Sequence, residues 1–212
     1  MAVEPEAPAR QAVIAPAPGR LELVRAFVNT LDIEAGTDEL SSSAALATWL
    51  RERGLEGPAP SPATEAELRR AIEMREAIRE VLLTHVSGQH SQAASVQATS
   101  ATVASGPAAS TLAELRSTAV GLPTRLTITD DGTVQTMPAG QGTAYGLAAL
   151  LLIAADAATT GTWERLKVCS ADDCRWAFYD RSPARSGCWC SMAVCGSRAK
   201  SRAFRRRAAG HR

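Results

Sequence analysis

The residues of this chain best suited to chemistry are its cysteines, and all five fall between Cys169 and Cys195. Four residues separate Cys169 from Cys174, four separate Cys190 from Cys195, and fifteen lie between the two pairs. Each pair can fold back as a tight turn that presents two thiolates, and an intervening hairpin can bring the turns together. The spacing therefore predicts a Zn²⁺ site with a tetrahedral shell of four sulfurs.

The fifth cysteine, Cys188, is spare if both pairs bind metal. Nearby arginines would lower the pKa of its thiol and allow a redox role. The alternative is that Cys188 serves as a small apolar residue.

Aromatic residues between the pairs predict how such a site is covered. We expect Trp176, Phe178 and Trp189 to shield the metal, with Ala177 and Tyr179 on the opposite strand face. Stacking of these rings on nucleic-acid bases is the alternative, and we favour shielding.

Charge is distributed unevenly, although the formal net charge is only +1. From Trp163 onward 12 basic and 4 acidic side chains give +8, so residues 1–162 carry −7. A helix is predicted after the last cysteine, and it carries six cations: Arg198, Lys200, Arg202, Arg205, Arg206 and Arg207. Like charges at helical spacing repel, and a polyanion relieves that repulsion, so we predict contact with double-stranded DNA. The alternative is a solvated helix end whose cations favour the macrodipole.

Hydrophobic periods and caps predict a mainly α fold with a small β-hairpin (α+β). The segment after Gly19 favours a helix over a strand, Ser41 to Ser43 can cap a helix that Gly54 ends, and Thr64 with Glu67 forms a capping box. The remaining helices are expected over 64–87, 111–120 and 143–158. Asp131-Gly132 between alternating runs predicts a hairpin with a type I′ turn.

Composition divides the chain into three parts. Residues 1–18, rich in Ala and Pro, are expected to be a disordered leader; 19–162 form a mostly helical domain with a flexible stretch over 88–110; and 163–212 form a small zinc module with a basic C-terminal helix. The acidic start argues against an export signal, and the longest apolar run, Gly146–Ala155, is half of the ~20 residues that cross a bilayer. We therefore expect a cytoplasmic protein without membrane contact.

A polar pair, Asn29 and Thr30, interrupts the first apolar run. Polar groups placed there must find hydrogen-bond partners. They either line a ligand pocket or form an internal network that ties the first helix to the body.

The tail resembles the CGNR zinc finger, whose signature corresponds here to Cys195-Gly196-Ser197-Arg198. Its pattern C-x4-C-x-W-x-F-x-D…W-C-S-M-x-x-C-G-x-R-x-K is matched from Cys169 to Lys200. The run FVNTL after Ala26 and the lead-in W-x-R-L-K resemble the ABATE-type domain that accompanies this finger in bacterial stress-induced transcription regulators. The resemblance implies a helical domain followed by a treble-clef-like or ribbon-like zinc module that binds DNA.

This chain departs from the family pattern at two places. Ser197 stands where the family has Asn, and Gly187 with Cys188 stand where it usually has two Arg. Because the second change removes positive charge from the hairpin, DNA contact must depend more on the C-terminal helix.

Two functions remain open at this point. The first is a zinc-dependent transcription regulator whose N-terminal domain senses a small-molecule effector or mediates assembly. Because one finger gives a small DNA footprint, specific binding calls for either a homodimer or a second contact with DNA. The second is a protein-interaction module in which the basic helix binds an acidic partner. An enzyme is disfavoured, because four thiolates close the metal shell and no catalytic His arrangement can be identified.

Overall fold

The structure is a computed structural model that describes residues 14–92, 113 and 117–209. Its helices are α1 (Leu21–Val28), α2 (Ser43–Glu52), α3 (Glu65–Gln92), α4 (Gly142–Thr159) and α5 (Ser197–Ala209). Its antiparallel strand pairs are β1 (Leu31–Asp32) with β2 (Thr37–Asp38), β3 (Thr124–Ile128) with β4 (Val134–Pro138), and β5 (Leu166–Val168) with β6 (Ala177–Tyr179). The predicted α+β class is confirmed.

The helix starts follow the capping signals in the sequence. The Thr64 amide donates to Glu67 Oε2 at 2.8 Å, and the Glu67 amide donates back to Thr64 Oγ1 at 3.2 Å, which is the predicted capping box. Ser42 caps α2 by accepting a hydrogen bond from the Ala45 amide at 3.1 Å. Beyond the predicted end at 87, α3 continues to Gln92, so the first residues of the stretch expected to be flexible are helical.

Two further predictions fall largely outside the described residues. The rest of the expected flexible stretch, 93–110, lies there, and so does most of the helix expected over 111–120, of which 117–119 are helical.

The core is built around α4, which packs against α1, α2 and α3. Gly146 permits the closest of these approaches, because a Cβ there would stand 2.8 Å from Leu50 Cδ2 and 2.7 Å from the Leu55 carbonyl oxygen. By length and composition α4 could also cross a membrane, the only such helix in the described part of the chain. Half of it is buried inside the protein, as in a core helix.

The β3–β4 hairpin forms as predicted, but its turn does not. Ile128 pairs with Val134, and the Gly132 amide donates to the Thr129 carbonyl at 2.8 Å. A type I′ turn needs positive φ at both central residues, whereas here Gly132 (φ +81°) has positive φ and Asp131 does not. The loop is therefore longer, because the side chain of Asp131 accepts a hydrogen bond from the Thr133 amide at 3.0 Å and stabilises the wider turn.

The predicted boundary near residue 163 does not separate two cores. Leu166 and Val168 of β5 and Ala177 of β6 are buried in the same cluster as α1 and α4. β5 also packs along α3, where His85 Nδ1 lies 2.8 Å from the Leu166 carbonyl oxygen. Half of the zinc module therefore folds as part of the main core, because its apolar strand face is covered by helices from the N-terminal domain.

Part of the expected leader also contacts the body. Ala17 is buried, its amide donates to Glu22 Oε2 at 2.7 Å, and the Pro16 carbonyl accepts from Arg181 Nη2 at 2.7 Å. Ile14 packs against the cysteine cluster. Residues 14–18 therefore have apolar cover and hydrogen bonds from the body, and residues 1–13 of the expected leader lie outside the described part.

Candidate metal centre and basic helix

The four cysteines singled out by their spacing converge on one point. The sulfurs of Cys169, Cys174, Cys190 and Cys195 all lie within 4.8 Å of one another. Cys190 Sγ stands 3.6 Å from Cys174 Sγ and 3.7 Å from Cys195 Sγ. Four sulfurs at about 2.3 Å from a tetrahedral Zn²⁺ are separated by about 3.8 Å, whereas a disulfide requires about 2.05 Å. The donor set thus fits zinc, and all five cysteines are free thiols.

The first cysteine pair is delivered by the end of the β5–β6 hairpin. The Cys169 amide continues the strand pairing by donating to the Trp176 carbonyl at 2.9 Å. The chain then turns back, with the amides of Cys174 and Arg175 both donating to the Ala171 carbonyl. Arg175 takes a left-handed conformation (φ +50°), which closes the turn and aims both sulfurs at the same point.

The second pair is delivered by a helical turn. A π-turn over Met192–Gly196 begins after Ser191, whose hydroxyl accepts the Val194 amide at 3.3 Å, and it runs directly into α5. Ser197, the residue that replaces the family's Asn, donates its hydroxyl to the Met192 carbonyl at 3.1 Å. The turn is therefore still tied by a side chain despite the substitution.

The four clustered thiols shift the pKa values of one another. Hydrogen bonds from Cys174 and Cys190 lower the pKa of Cys169. Hydrogen bonds with Cys169 and Cys174 raise the pKa of Cys190, and burial raises the pKa of Cys195. The thiols alone thus hold fewer than four negative charges. A divalent ion that binds all four as thiolates displaces protons, so its affinity falls as the pH falls.

Cys188 is not part of the cluster formed by the other cysteines. Its carbonyl accepts the Ser170 amide at 2.9 Å, which ties the two halves of the module together. Burial raises the pKa of the Cys188 thiol, contrary to the lowering expected from nearby arginines. These contacts favour the alternative in which Cys188 is a packing residue.

The aromatic cover follows the predicted strand faces. Trp176 is buried against the sulfurs, and Trp189 packs at the edge of the same cluster. Ala177 and Tyr179 face the opposite way, into the main core, and Phe178 is also buried. Trp176 thus shields the sulfurs and is not available to stack on bases, whereas Phe178, although buried, is not part of the cysteine cluster.

A buried ion pair, which the spacing of cysteines did not predict, holds the loop between β6 and the second cysteine pair. Lys167 Nζ donates to Asp180 Oδ2 at 2.8 Å and to the Gly187 carbonyl at 3.2 Å. Burial raises the pKa of Asp180, but hydrogen bonds from Lys167 and Ser182 outweigh burial and lower the pKa to about 2. Both residues appear in the family pattern, as the K of the lead-in and the final D of its first half. Their presence in that pattern was the only indication of this ion pair that the sequence offered.

Gly187, one of the departures from the family pattern, lies directly against this ion pair. A Cβ at Gly187 would stand 2.9 Å from the carboxylate atoms of Asp180, whose Oδ2 accepts the Gly187 amide at 2.8 Å. A longer side chain cannot be accommodated there without moving this carboxylate.

Comparison with known families agrees with this geometry. Residues 165–208 match the CGNR zinc finger, and residues 21–162, more than half of the chain, match the ABATE family, described as "Putative stress-induced transcription regulator". The chain belongs to the ABATE family and ends in a CGNR zinc finger. No curated protein matches it. The four clustered cysteines of this finger could hold one metal ion, and the zinc-finger match is consistent with Zn²⁺.

Two of the six cations predicted to touch DNA have carboxylate partners within the protein. Arg198 Nη1 donates to Glu34 Oε1, in the turn between β1 and β2 of the ABATE domain, at 2.8 Å. Arg202 Nη1 lies 3.6 Å from Asp173 Oδ2, in the first cysteine turn. Both arginine side chains are nevertheless about half exposed.

The other cations of α5 face solvent. Lys200, Arg205 and Arg206 are exposed and form no ion pair with the described part of the chain, and Arg207 is exposed as well. Arg198, Arg202 and Arg205 line a shallow groove of about 520 Å³ beside the π-turn. The structure thus brings the predicted arginine stripe together on one surface.

Asn29 and Thr30 lie in the interior of the ABATE domain. The Asn29 amide pairs with the backbone of Ala177, donating to its carbonyl at 3.0 Å and accepting its N–H at 2.7 Å. Thr30 Oγ1 donates to the Phe27 carbonyl and accepts from Arg75 Nη1 at 3.0 Å. These partners are those expected for the internal network that ties the first helix to the body.

Proposed function

We propose that this protein is a transcription regulator that binds double-stranded DNA through the basic surface of α5. The observation that carries the proposal is the placement of that helix. It begins two residues after the last zinc ligand, so the metal fixes the start of a helix whose exposed side includes Lys200, Arg205 and Arg206.

Phosphates are the ligands that this surface fits. The groove beside the π-turn is lined by three arginines, and Ser201 adds a hydroxyl group to its wall. Each phosphate that a cation neutralises releases counterions, which drives binding at physiological salt. A zinc ion with four thiolates carries about −2, which offsets only part of the +8 of this terminus.

Direct contacts between the finger and the ABATE domain support a regulatory role for that domain. Arg79 of α3 donates to the Arg175 carbonyl in the first cysteine turn at 3.2 Å and to the Val28 carbonyl of α1 at 2.7 Å. A change in the packing of α3 would therefore reach the turn that holds two zinc ligands.

We assign the sensing of a small-molecule effector to this domain, at a groove of about 810 Å³ between β4 and α4. Met137, Leu152 and Ile153 give the groove apolar walls. An anilinonaphthalene sulfonate dye serves as the probe. It should bind with increased fluorescence, and Leu152→Glu should weaken that binding, whereas equal binding by both proteins contradicts the assignment.

The DNA proposal is tested by fluorescence anisotropy with the zinc-loaded chain and duplex DNA from upstream of its gene. If four to six phosphates are contacted, the slope of log K against log salt is about −4 to −5. The double variant Arg205→Gln/Arg206→Gln should flatten the slope by about two. Arg69→Gln removes an exposed cation of α3 and is the matched control. Absence of salt-sensitive binding by the zinc-loaded wild type refutes the proposal.

A protein-interaction module is the second candidate, and one observation favours it. Phe204 of α5 is exposed among the cations, and Glu34 and Asp173 show that this helix accepts protein carboxylates. Binding of such a partner would depend less on salt than binding of DNA. Phe204→Ala would weaken the binding of this partner more than Arg206→Gln would. The salt titration thus distinguishes the two candidates.

The cysteine cluster also bears on where the protein works and on whether it is an enzyme. We place the protein in the bacterial cytoplasm, where reducing conditions keep the cysteines available for zinc. We assign no enzymatic activity, because four thiolates leave zinc without an open coordination position.

A further inference from the structure

One face of the β3–β4 hairpin is apolar and uncovered. Leu126, Ile128 and Val134 are 74, 72 and 63% exposed. Ile128 and Val134 are paired across the strands and Leu126 lies two residues along, so the three side chains share a face. A two-stranded hairpin with an uncovered apolar face is marginal in water, and such patches on soluble proteins mark interaction surfaces.

One edge of the hairpin also has no strand partner among the residues that the structure describes. The other edge is formed by β4, which packs against α4 and ends in Pro138, a residue without an amide hydrogen. The Thr129 amide donates to the Thr133 carbonyl, and the Ala139 amide donates to the Pro123 carbonyl. The odd-numbered residues of β3 are therefore the ones whose backbone groups bond to β4. The amide and carbonyl groups of Thr124, Leu126 and Ile128 therefore point away from β4, towards the open edge. Unpaired strand edges are templates for another strand.

The charges at the two ends of β3 identify which strand fits. Arg125 lies at the start of the strand, and Asp130 and Asp131 follow its end, all three exposed. A second copy of β3 placed across a two-fold axis runs antiparallel. That arrangement sets Arg125 of each copy beside the acidic turn of the other, so the edge is complementary to itself.

We propose that this chain forms a homodimer by pairing β3 with β3 of a second copy, giving a four-stranded antiparallel sheet. Leu126, Ile128 and Val134 then form one continuous apolar face across both copies. An acidic or uncharged foreign strand would satisfy the backbone groups but would leave one of the two charged ends without its complement.

The dimer extends the function proposed above, since it supplies two fingers for two half-sites of DNA. Its test contains no DNA, so its failure leaves the DNA-binding proposal standing. The interface is small, and we expect a dissociation constant in the micromolar range.

Sedimentation equilibrium of the zinc-loaded full chain, from about 1 to 100 μM, measures the dimer directly. Leu126→Lys and Ile128→Lys should each raise the dissociation constant at least tenfold, which is about 1.4 kcal/mol. Val120→Lys is the matched control, because Val120 is equally exposed but lies outside the strands. A monomeric wild type at 100 μM, or equal effects of Val120→Lys and Leu126→Lys, overturns the proposal.

A charge exchange tests the pairing without altering the apolar face, and it remains informative if the lysine variants fold poorly. Arg125→Asp places like charges together and should weaken the dimer about tenfold. Adding Asp130→Arg and Asp131→Asn to the same chain reverses the sign of charge at both ends, while Asn keeps an oxygen acceptor for the Thr133 amide, and should restore the wild-type dissociation constant within about threefold. Loss without restoration, or no loss at all, means that β3 does not pair with itself.

Discussion

Arg198 Nη1 lies 2.8 Å from Glu34 Oε1, and this ion pair joins the first turn of the basic helix to the turn between β1 and β2. The contact orients α5 against the ABATE domain. If the proposed DNA contact forms, Glu34 competes with phosphate for one arginine of the predicted stripe.

Glu34→Gln should therefore strengthen DNA binding. An ion pair of this exposure contributes about 0.2–1 kcal/mol, so we expect roughly a 1.5- to 5-fold lower dissociation constant, with a salt slope steeper by up to about one. Glu73→Gln, which neutralises an exposed carboxylate of α3, is the control for net charge. Equal changes in the two variants would show that the contact at Arg198 does not limit DNA binding.

Metal analysis should find one zinc per chain in the wild type. Cys174→Ser removes a ligand and should abolish zinc binding, whereas Cys188→Ser should retain one equivalent, since the Cys188 sulfur lies outside the cluster. Most of the helical circular dichroism should persist in Cys174→Ser, because α1 to α4 share a core that does not contain the sulfurs. Equal zinc loss in both serine variants would contradict this ligand set.

Removal of the Asn29 side chain should destabilise the whole protein. Asn29→Ala leaves a buried N–H and a buried carbonyl of Ala177 without partners, at a cost of about 2–4 kcal/mol. Urea unfolding with zinc present measures the change in the free energy of unfolding. Gln135→Ala, which removes an exposed amide, should change that free energy by less than about 0.5 kcal/mol. A similar small change for Asn29→Ala would show that the amide does not join α1 to the finger.

Stability should fall as the pH falls from 7.5 to 5.5. Burial lowers the pKa of His85 below its ordinary 6.5, so the unfolded state binds a proton first and is favoured as the pH drops through that value. His85→Asn keeps a donor near the Leu166 carbonyl but does not titrate, and it should flatten the decline measured by urea unfolding. Parallel declines in the two proteins would place the titrating group elsewhere, with the zinc thiolates as the obvious source.

The cysteine cluster shows what could be predicted from the sequence. Two turns of four intervening residues deliver sulfurs to one tetrahedron because the geometry of a zinc site is local and nearly independent of the rest of the fold. The capping box at Thr64 and Glu67 was predictable for the same reason, since its hydrogen bonds span three residues.

Tertiary structure alone decided how the finger joins the body. Asn29 contacts Ala177 across 148 positions, and Arg79 contacts Arg175 across 96. No period or spacing specifies such partners, because they depend on how helices and strands pack. That packing places β5 and β6 in the main core and sets Glu34 beside Arg198, whereas the sequence by itself determined the two cysteine pairs, the helix starts and the basic terminus.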